Sequence, residues 1–309
     1  MAFKYFTSVL FITFFTILGF SQKTSSLEGR WDLVIEKDGK QLPSWLEIRH
    51  SGHKTFVGRF VYAFGSARPV AEVKIADNRF SFSIPPQWEE GDRNMDFEGE
   101  LVGDQLKGTM VYTDGKSYPF MGKRQPVFPA PEKIVWAEQK PLFNGKNIDG
   151  WHLDGDKNKW TVTDRILSNA GGGSNLITNE KFGNFKLKAE FRYPKGSNSG
   201  IYLRGRYEVQ ITDNKGLEPS DIYFGGVYGF LEPNQMAAKN AGEWQTYEIT
   251  LIGDRVTIVA NGESVITDQT IPGITGGAID SEEDQPGPIM LQGDHGAVEF
   301  RSLEIIPIQ

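Results

Sequence analysis

Three short segments in the second half of the chain, residues 185–192, 201–204 and 207–211, alternate between apolar and polar side chains. Because neighbouring side chains of a strand point to opposite faces, the polar members are predicted to share one face of a sheet. These polar side chains are Glu190, Arg192, Tyr202, Arg204, Glu208 and Gln210. Carboxylates, guanidinium groups, amides and phenols together suit a surface that binds sugar hydroxyl groups. A solvent-facing sheet with cross-strand ion pairs is the alternative.

His295 is the histidine whose surroundings best suit proton transfer. Of the 4 histidines, it is the one in a glycine-flanked turn near the end of a predicted strand, and Gln292 and Asp294 lie beside it. An imidazole has an ordinary pKa near 6.5, which allows it to act as an acid or a base near neutral pH. A partly exposed loop histidine without a catalytic role is the alternative.

The carboxylate pattern disfavours an ordinary retaining glycosidase. That reaction needs two acids on one face, as in a Glu-x-Asp-x-x-Glu strand, whereas segment 207–213 offers one carboxylate and an amide on the corresponding face. The glycines at 171–173 lack the Lys-Ser/Thr of a phosphate loop. The acidic run 280–284 lacks the spacing of a calcium loop and is interpreted as solvated.

The composition limits the fold class, the chemistry and the partners that are compatible with these candidate residues. The chain has 309 residues, no cysteine and a formal charge of -7. The missing cysteine excludes disulfides and thiolate chemistry, and the acidic balance argues against nucleic acid or an anionic membrane as a partner. The 35 glycines and 38 aromatic residues (21 Phe, 10 Tyr and 7 Trp) favour a turn-rich, all-β protein.

The first 22 residues are typical of an export signal. Lys4 precedes an apolar run that ends at Phe20, and small residues follow near the predicted cleavage site. The run is shorter than a spanning helix requires, so we expect no membrane span in the mature chain, although a retained anchor is the alternative. The signal predicts an exported protein, periplasmic or extracellular.

Segmentation along the mature chain predicts two β domains. Residues 23–125 contain about eight short strand-like segments, which predicts a small antiparallel barrel or sandwich. Residues 126–140 are proline-rich and are interpreted as a semi-rigid linker. Residues 141–309 contain about ten strand-like segments and the hairpin turn Asn261-Gly262, which predicts a two-sheet sandwich.

An ordered set of motifs in residues ~140–309 resembles the 3-keto-disaccharide hydrolase family. The set comprises the segments 142–151, with Trp151 at its end, 198–205, 207–210, 242–248 and 287–295, followed by Glu-Phe-Arg at 299–301. In this chain Gly293 separates Gln292 from Asp294, where many relatives have Gln-Asp-His or Gln-x-His. The resemblance implies a concanavalin-like jelly roll that acts on 3-keto-glycosides, a small-molecule carbohydrate substrate.

The predicted chemistry uses the acidity that a ketone at C3 gives to the hydrogen on C2. A base removes that proton, the enolate is held by donors, the glycosidic oxygen leaves from C1, and water adds to the enone. The predicted catalytic residues are Glu208 and His295, as base and acid in either order, and Arg204, which is predicted to hold the enolate together with Gln210 or Gln292. The predicted substrate-binding residues are Glu190, Arg192, Tyr202, Gln210, Gln292, Asp294 and Trp151.

No cofactor is required by the pattern, although a divalent metal could be held by Glu208, Asp294 and His295. Two other classes of function stay open at this point. A lectin-like binding module is one, because a jelly roll does not determine function, and an ordinary glycoside hydrolase with an unfamiliar pair of acids is the other.

Overall fold

A computed structural model describes residues 27–129 and 131–308 of the chain. Every regular element within these residues is a β-strand, and the strands form a closed barrel followed by two further sheets. The all-β prediction, with a barrel ahead of a jelly-roll sandwich, is therefore confirmed. Nothing in this part of the chain forms an apolar helix of the length needed to cross a bilayer. The predicted export signal, residues 1–22, lies outside the described residues.

The barrel is made of eight antiparallel strands, each paired with its neighbour in sequence, and the last strand pairs with the first. Closure leaves no unpaired edge, and the interior is filled by aromatic rings such as Phe60, Phe82 and Phe97, whose centroids lie 4.5 to 5.7 Å apart. The strands are β1 (Gly29–Lys37), β2 (Lys40–Ser51), β3 (Thr55–Val61), β4 (Arg68–Ala76), β5 (Arg79–Ile84), β6 (Met95–Val102), β7 (Gln105–Val111) and β8 (Ser117–Arg124).

The rest of the described chain forms a sandwich of two antiparallel sheets. The five-stranded sheet contains, in spatial order, β10 (Trp151–Leu153), β13 (Leu176–Thr178), β20 (Met290–Leu291), β15 (Asn198–Leu203) and β16 (Tyr207–Thr212). The larger sheet contains β11 (Trp160–Thr163), β12 (Ile166–Asn169), β21 (Val298–Pro307), β14 (Phe185–Arg192), β17 (Gln245–Ile252), β18 (Arg255–Ala260) and β19 (Glu263–Thr270), with β9 (Lys140–Pro141) paired to β21.

The core of the sandwich explains which side chains remain for chemistry. On β15 and β16 the residues Ile201, Leu203, Val209 and Ile211 are fully buried in the apolar cluster between the sheets. Strand alternation then directs the intervening side chains of these strands to the outer face of the five-stranded sheet. That face carries the candidate site.

The barrel packs directly against the sandwich. Trp45 of β2 is buried in the apolar cluster of the sandwich, where its ring meets Phe230 edge-on at 5.1 Å. Polar contacts add to this packing, since Ser281 Oγ donates to the Leu33 carbonyl at 2.8 Å and Gln125 Nε2 donates to the Pro272 carbonyl at 2.7 Å. The sandwich segment 272–283 therefore lies against the barrel.

Candidate active site

The outer face of the five-stranded sheet brings together Tyr202, Glu208, Gln210 and Gln292. The register pairs Tyr202 with Glu208, and Gly200 with Gln210. The amide N–H of Gln292 donates to the Gly200 carbonyl at 3.0 Å, which places Gln292 beside the same row. Gly200 has a specific role, because a Cβ there would lie 2.4 Å from Glu208 Oε1. The glycine therefore provides the space that the carboxyl group occupies.

Glu208 is a buried acid with a strongly altered pKa. Only 2% of the residue is exposed, and this burial raises the pKa of its carboxyl from 4.5 to about 8. The Tyr202 hydroxyl lies 2.9 Å from Glu208 Oε2 and 3.0 Å from the Gly276 carbonyl oxygen. A phenol has one hydrogen, so both contacts are satisfied together when Glu208 is protonated and donates to Tyr202. The hydrogen bonds and the raised pKa therefore agree on a neutral Glu208 at pH 7.

Three buried oxygen atoms on this face have no hydrogen-bond partner within the described residues. They are Oε1 of Glu208, Oε1 of Gln210 and Oε1 of Gln292. Buried polar atoms in folded proteins almost always have a partner, and each orphan costs stability. A cluster of orphan acceptors is what a ligand with several hydroxyl groups would satisfy.

His295 and Asp294 form a hydrogen-bonded pair close to Glu208. The Nδ1 atom of His295 lies 2.6 Å from Asp294 Oδ1, and both side chains are about half exposed. This hydrogen bond is the main cause that raises the His295 pKa above 6.5, and the charge of Asp294 adds to it. A carboxylate on Nδ1 selects the tautomer in which Nε2 is free to accept a proton. Asp294 and His295 act electrostatically on Glu208, so the three groups lie within electrostatic range of one another.

A comparison with known families identifies the protein family to which the chain belongs. The family model described as a 3-keto-alpha-glucoside-1,2-lyase-like domain matches residues 138–306, more than half of the chain. The chain belongs to this family. The family identified from the sequence motifs is confirmed.

Individual relatives are more distant. A "3-keto-disaccharide hydrolase" of Bacteroides thetaiotaomicron is 28% identical over 164 residues, which cover 40% of this chain and 56% of the relative. The chain thus spans little more than half the length of that curated relative. Two crystal structures of provisionally assigned glycosyl hydrolases from Parabacteroides distasonis ATCC 8503 are also similar. The first is 24% identical in sequence with a TM-score of 0.48, and the match covers 59% of this chain and 93% of that structure's chain. The second is 25% identical in sequence with a TM-score of 0.42, and the match covers 55% of this chain and 98% of that structure's chain.

Arg204 does not share the face of Glu208 in this family member, so the predicted placement is wrong. Strand β15 ends at Leu203, and Arg204 takes a left-handed backbone conformation with φ of 52°. Strand alternation no longer applies there. The buried guanidinium donates to the carbonyls of Glu283, at 3.1 Å, and Gly253. Its surroundings indicate a structural role that ties the β15–β16 turn to neighbouring loops.

Glu190, Arg192 and Trp151 also lie away from this face, contrary to the prediction. Glu190 and Arg192 belong to β14 of the larger sheet, where they pair with Arg301 and Glu299. Their alternation matches that of β15 and β16, but sheet membership is set by long-range pairing that alternation does not encode. Trp151 is buried in the core, and its Nε1 donates to the Leu142 carbonyl at 2.7 Å.

Tyr228 is a site residue that the strand pattern missed. It is half-buried in an irregular loop, and burial together with the charge of Glu208 raises its pKa. The Tyr228 N–H donates to the Glu208 carbonyl at 3.0 Å, and a Cβ on the next residue, Gly229, would lie 2.6 Å from the Ala67 nitrogen of the barrel. No short-range periodicity marks residues in such loops; the one sequence signal is the aromatic type itself.

A metal centre is not evident in the geometry. Within residues 27–129 and 131–308, no three side chains of the types His, Cys, Asp and Glu are grouped so that they could hold a metal ion. The groups that the site offers are thus a buried neutral acid, a histidine with its carboxylate, two phenols and two amides.

Proposed function

We propose that this protein is a carbohydrate-active enzyme that cleaves 3-keto-glycosides by elimination and hydration. The observation that carries the proposal is a buried Glu208, hydrogen-bonded to Tyr202, within electrostatic range of the hydrogen-bonded Asp294–His295 pair. Two proton-transfer groups of different character suit a reaction that needs one base and one acid. Membership in the 3-keto-alpha-glucoside-1,2-lyase-like family supports the substrate class.

In the first step His295 acts as the base. Nε2 removes the hydrogen from C2 of the 3-keto sugar, and the C–H electron pair moves into the enolate of the C3 ketone. Asp294, hydrogen-bonded to Nδ1, stabilises the imidazolium that forms. The amide groups of Gln210 and Gln292 lie on the same face and can donate their N–H groups to the enolate oxygen.

In the second step Glu208 acts as the acid. The enolate reforms the C3 ketone, a double bond forms between C1 and C2, and the bond from C1 to the glycosidic oxygen breaks. The substrate complex reacts in the form in which the Glu208 proton lies on Oε1, the carboxyl oxygen that no group of the described residues engages, and Glu208 delivers that proton to the glycosidic oxygen. The Tyr202 hydrogen then moves from the Gly276 carbonyl to Glu208 Oε2 and stabilises the new carboxylate.

Hydration completes the reaction. The Glu208 carboxylate takes a proton from water as the water oxygen bonds to C1. The half-exposed His295 imidazolium exchanges its proton with solvent and returns a solvent-derived proton to C2. Both groups regain their starting protonation states, and the net change is hydrolysis of the glycosidic bond. Because the predicted signal lies at residues 1–22, we further propose that the reaction takes place after export.

A comparison of two substrates tests the proposal. Purified protein is incubated with a nitrophenyl 3-keto-α-glucoside and with the same glucoside that carries an ordinary C3 hydroxyl, and nitrophenol release is followed. We expect release from the keto compound only. Release from both at similar rates would indicate an ordinary glycosidase, and binding without release would indicate a lectin-like module.

Two variants localise the activity. Glu208→Gln and His295→Ala are each expected to reduce the rate by about 10²- to 10⁴-fold, as the removal of a positioned acid or base does. Glu248→Gln and His53→Ala are the matched controls, because both side chains are exposed and lie outside the site. Equal losses in the variants and the controls would contradict the assignment.

A further inference from the structure

Trp88 of the barrel is an exposed aromatic residue on an ordered loop. It lies between β5 and β6, and 68% of the residue is exposed, the largest fraction among the tryptophans of the described chain. A large apolar side chain at the surface of an otherwise well-packed barrel requires a reason, because its exposure costs solvation free energy.

The loop around Trp88 is held in place by a buried carboxylate. Glu89 accepts hydrogen bonds from the backbone N–H groups of Gln87, at 2.6 Å, and Trp88, at 3.1 Å. The same carboxylate pairs with Arg68 at 2.9 Å, and Gln87 Nε2 donates to Ser66 Oγ at 2.9 Å. A fixed backbone beneath an exposed ring reduces the entropy lost when a ligand stacks on it.

Trp88 reaches the candidate active site through Tyr228. A Cβ on Gly65 would lie 3.2 Å from Trp88 Cδ1, and a Cβ on Gly229, the residue after Tyr228, would lie 2.6 Å from the Ala67 nitrogen, so the loops of Trp88, Gly65 and Tyr228 pack together. Tyr228 in turn lies within electrostatic range of Glu208 and Tyr202. Because 68% of Trp88 is exposed, its ring presents a face to solvent at the edge of the site.

A second barrel loop closes against the same site. The Gly277 N–H donates to the Ala63 carbonyl at 2.8 Å, and a Cβ on Gly276 would lie 2.2 Å from the Gly65 carbonyl oxygen. Gly276 is the residue whose carbonyl contacts the Tyr202 hydroxyl. The barrel loop that carries Phe64, 43% exposed, therefore borders the segment that positions Tyr202 and Glu208.

We propose that Trp88 of the barrel forms a subsite that stacks against the pyranose ring of the leaving sugar. This inference rests on the proposed function, in which Glu208 protonates the glycosidic oxygen. The group attached to that oxygen lies next to Glu208. Trp88 borders the same region, because it contacts Gly65, and Gly65 packs against Gly276, whose carbonyl contacts the Tyr202 hydroxyl. The C–H face of a pyranose is apolar and packs against an aromatic ring, while its edge hydroxyls stay in water.

The barrel then contributes specificity that the family domain does not supply by itself. The matched domain begins at residue 138, whereas Trp88 and Phe64 belong to the barrel that precedes it. A substrate with a second sugar gains the contact with Trp88, and a substrate with a methyl leaving group does not.

The test compares two substrates across three variants. The kcat/KM is measured for a 3-keto-α-glucosyl-glucose disaccharide and for methyl 3-keto-α-glucoside, with wild type, Trp88→Ala, Trp88→Phe and Trp244→Ala. Trp244 is the matched control, because it lies between Arg192 and Arg301 on the larger sheet. Trp88→Ala should lower kcat/KM for the disaccharide about tenfold, as loss of an aromatic anchor does, and leave the methyl glycoside within about twofold. Trp88→Phe should retain most of the disaccharide rate.

Binding provides a readout that does not depend on turnover. Calorimetry with the same 3-keto-disaccharide compares Glu208→Gln with the double variant Glu208→Gln, Trp88→Ala. The affinity for the disaccharide should fall about tenfold in the double variant. If the affinity falls in this way but wild type does not cleave the disaccharide, the subsite stands and the proposed reaction fails. Two results would overturn the subsite and leave the reaction standing. Either Trp88→Ala lowers kcat/KM equally for both substrates, or Trp88→Ala changes neither kcat/KM nor affinity. Neither binding nor cleavage by wild type would overturn both.

Discussion

Replacing Glu208 with Gln should stabilise the protein while it abolishes activity. Burial raises the Glu208 pKa from 4.5 to about 8, so the folded state retains a proton that the unfolded state releases above about pH 4.5. The folded state binds more protons in this interval, and the free energy of unfolding of wild type therefore falls as the pH rises from about 4.5 to about 8. Glutamine carries no such cost, because it does not ionise in either state.

The magnitude follows from the size of the pKa change. Each pKa unit corresponds to about 1.4 kcal/mol, so the neutral Glu208 costs on the order of 3 kcal/mol at pH 7 and about 5 kcal/mol above pH 8. The amide also preserves the contact with Tyr202, since its NH₂ group can donate to the phenol oxygen as the protonated carboxyl does. We expect the advantage of Glu208→Gln to be close to zero at pH 4.5 and to reach several degrees in Tm at pH 8.

The assay is thermal unfolding of wild type, Glu208→Gln and the exposed control Glu248→Gln at intervals between pH 4.5 and 9. The difference between wild type and variant is the informative quantity. Asp32, whose pKa burial raises to about 10, alters the pH profile of both proteins alike and cancels in that difference. If the difference in Tm between wild type and Glu208→Gln is the same at every pH, Glu208 does not carry a raised pKa. That result would refute the reasoning about the buried acid.

Three further predictions use the same geometry. Activity should rise as the pH passes the raised pKa of His295 and fall above about pH 8 as Glu208 ionises, and a profile that keeps rising beyond pH 8 would contradict the acid role of Glu208. Gly200→Ala should lower kcat by about 10²-fold with a small change in Tm, because the new Cβ displaces the carboxyl; unchanged kinetics would refute this placement. Arg204→Lys should lower the Tm through lost bonds to two backbone carbonyls yet retain kcat/KM at low temperature, and the reverse pattern would return Arg204 to the site.

Local alternation predicted correctly where a regular strand continues. Tyr202, Glu208 and Gln210 lie on one face because β15 and β16 are short, regular and directly paired. The same rule failed at Arg204, one residue past the end of β15, where a left-handed φ redirects the side chain. Alternation with a period of two residues does not locate the end of a strand to a precision of one residue.

The remaining features depend on long-range contacts. Glu190 and Arg192 alternate as Tyr202 and Arg204 do, but β14 pairs with β17 and β21 in the other sheet. Gly65, which contacts Trp88, packs against Gly276 more than 200 positions further along the chain, through loops that have no periodicity. The short strands and tight turns of residues 23–125 predict a small antiparallel barrel or sandwich. That the strands close into a barrel, and that the barrel contacts the site, depends on long-range pairing that only the structure shows.

Cleavage in heavy water tests the central claim most directly. If His295 removes the C2 hydrogen and solvent-derived hydrogen returns to C2 during hydration, the 3-keto sugar released in D₂O carries deuterium at C2 from the earliest time points. Unreacted substrate and free product, incubated without enzyme, measure the spontaneous exchange that a 3-keto sugar undergoes. Deuterium at C2 in the enzymatic product well above both controls is the predicted result. A product that retains its original hydrogen at C2 would show that cleavage proceeds without proton abstraction and would contradict the proposed reaction.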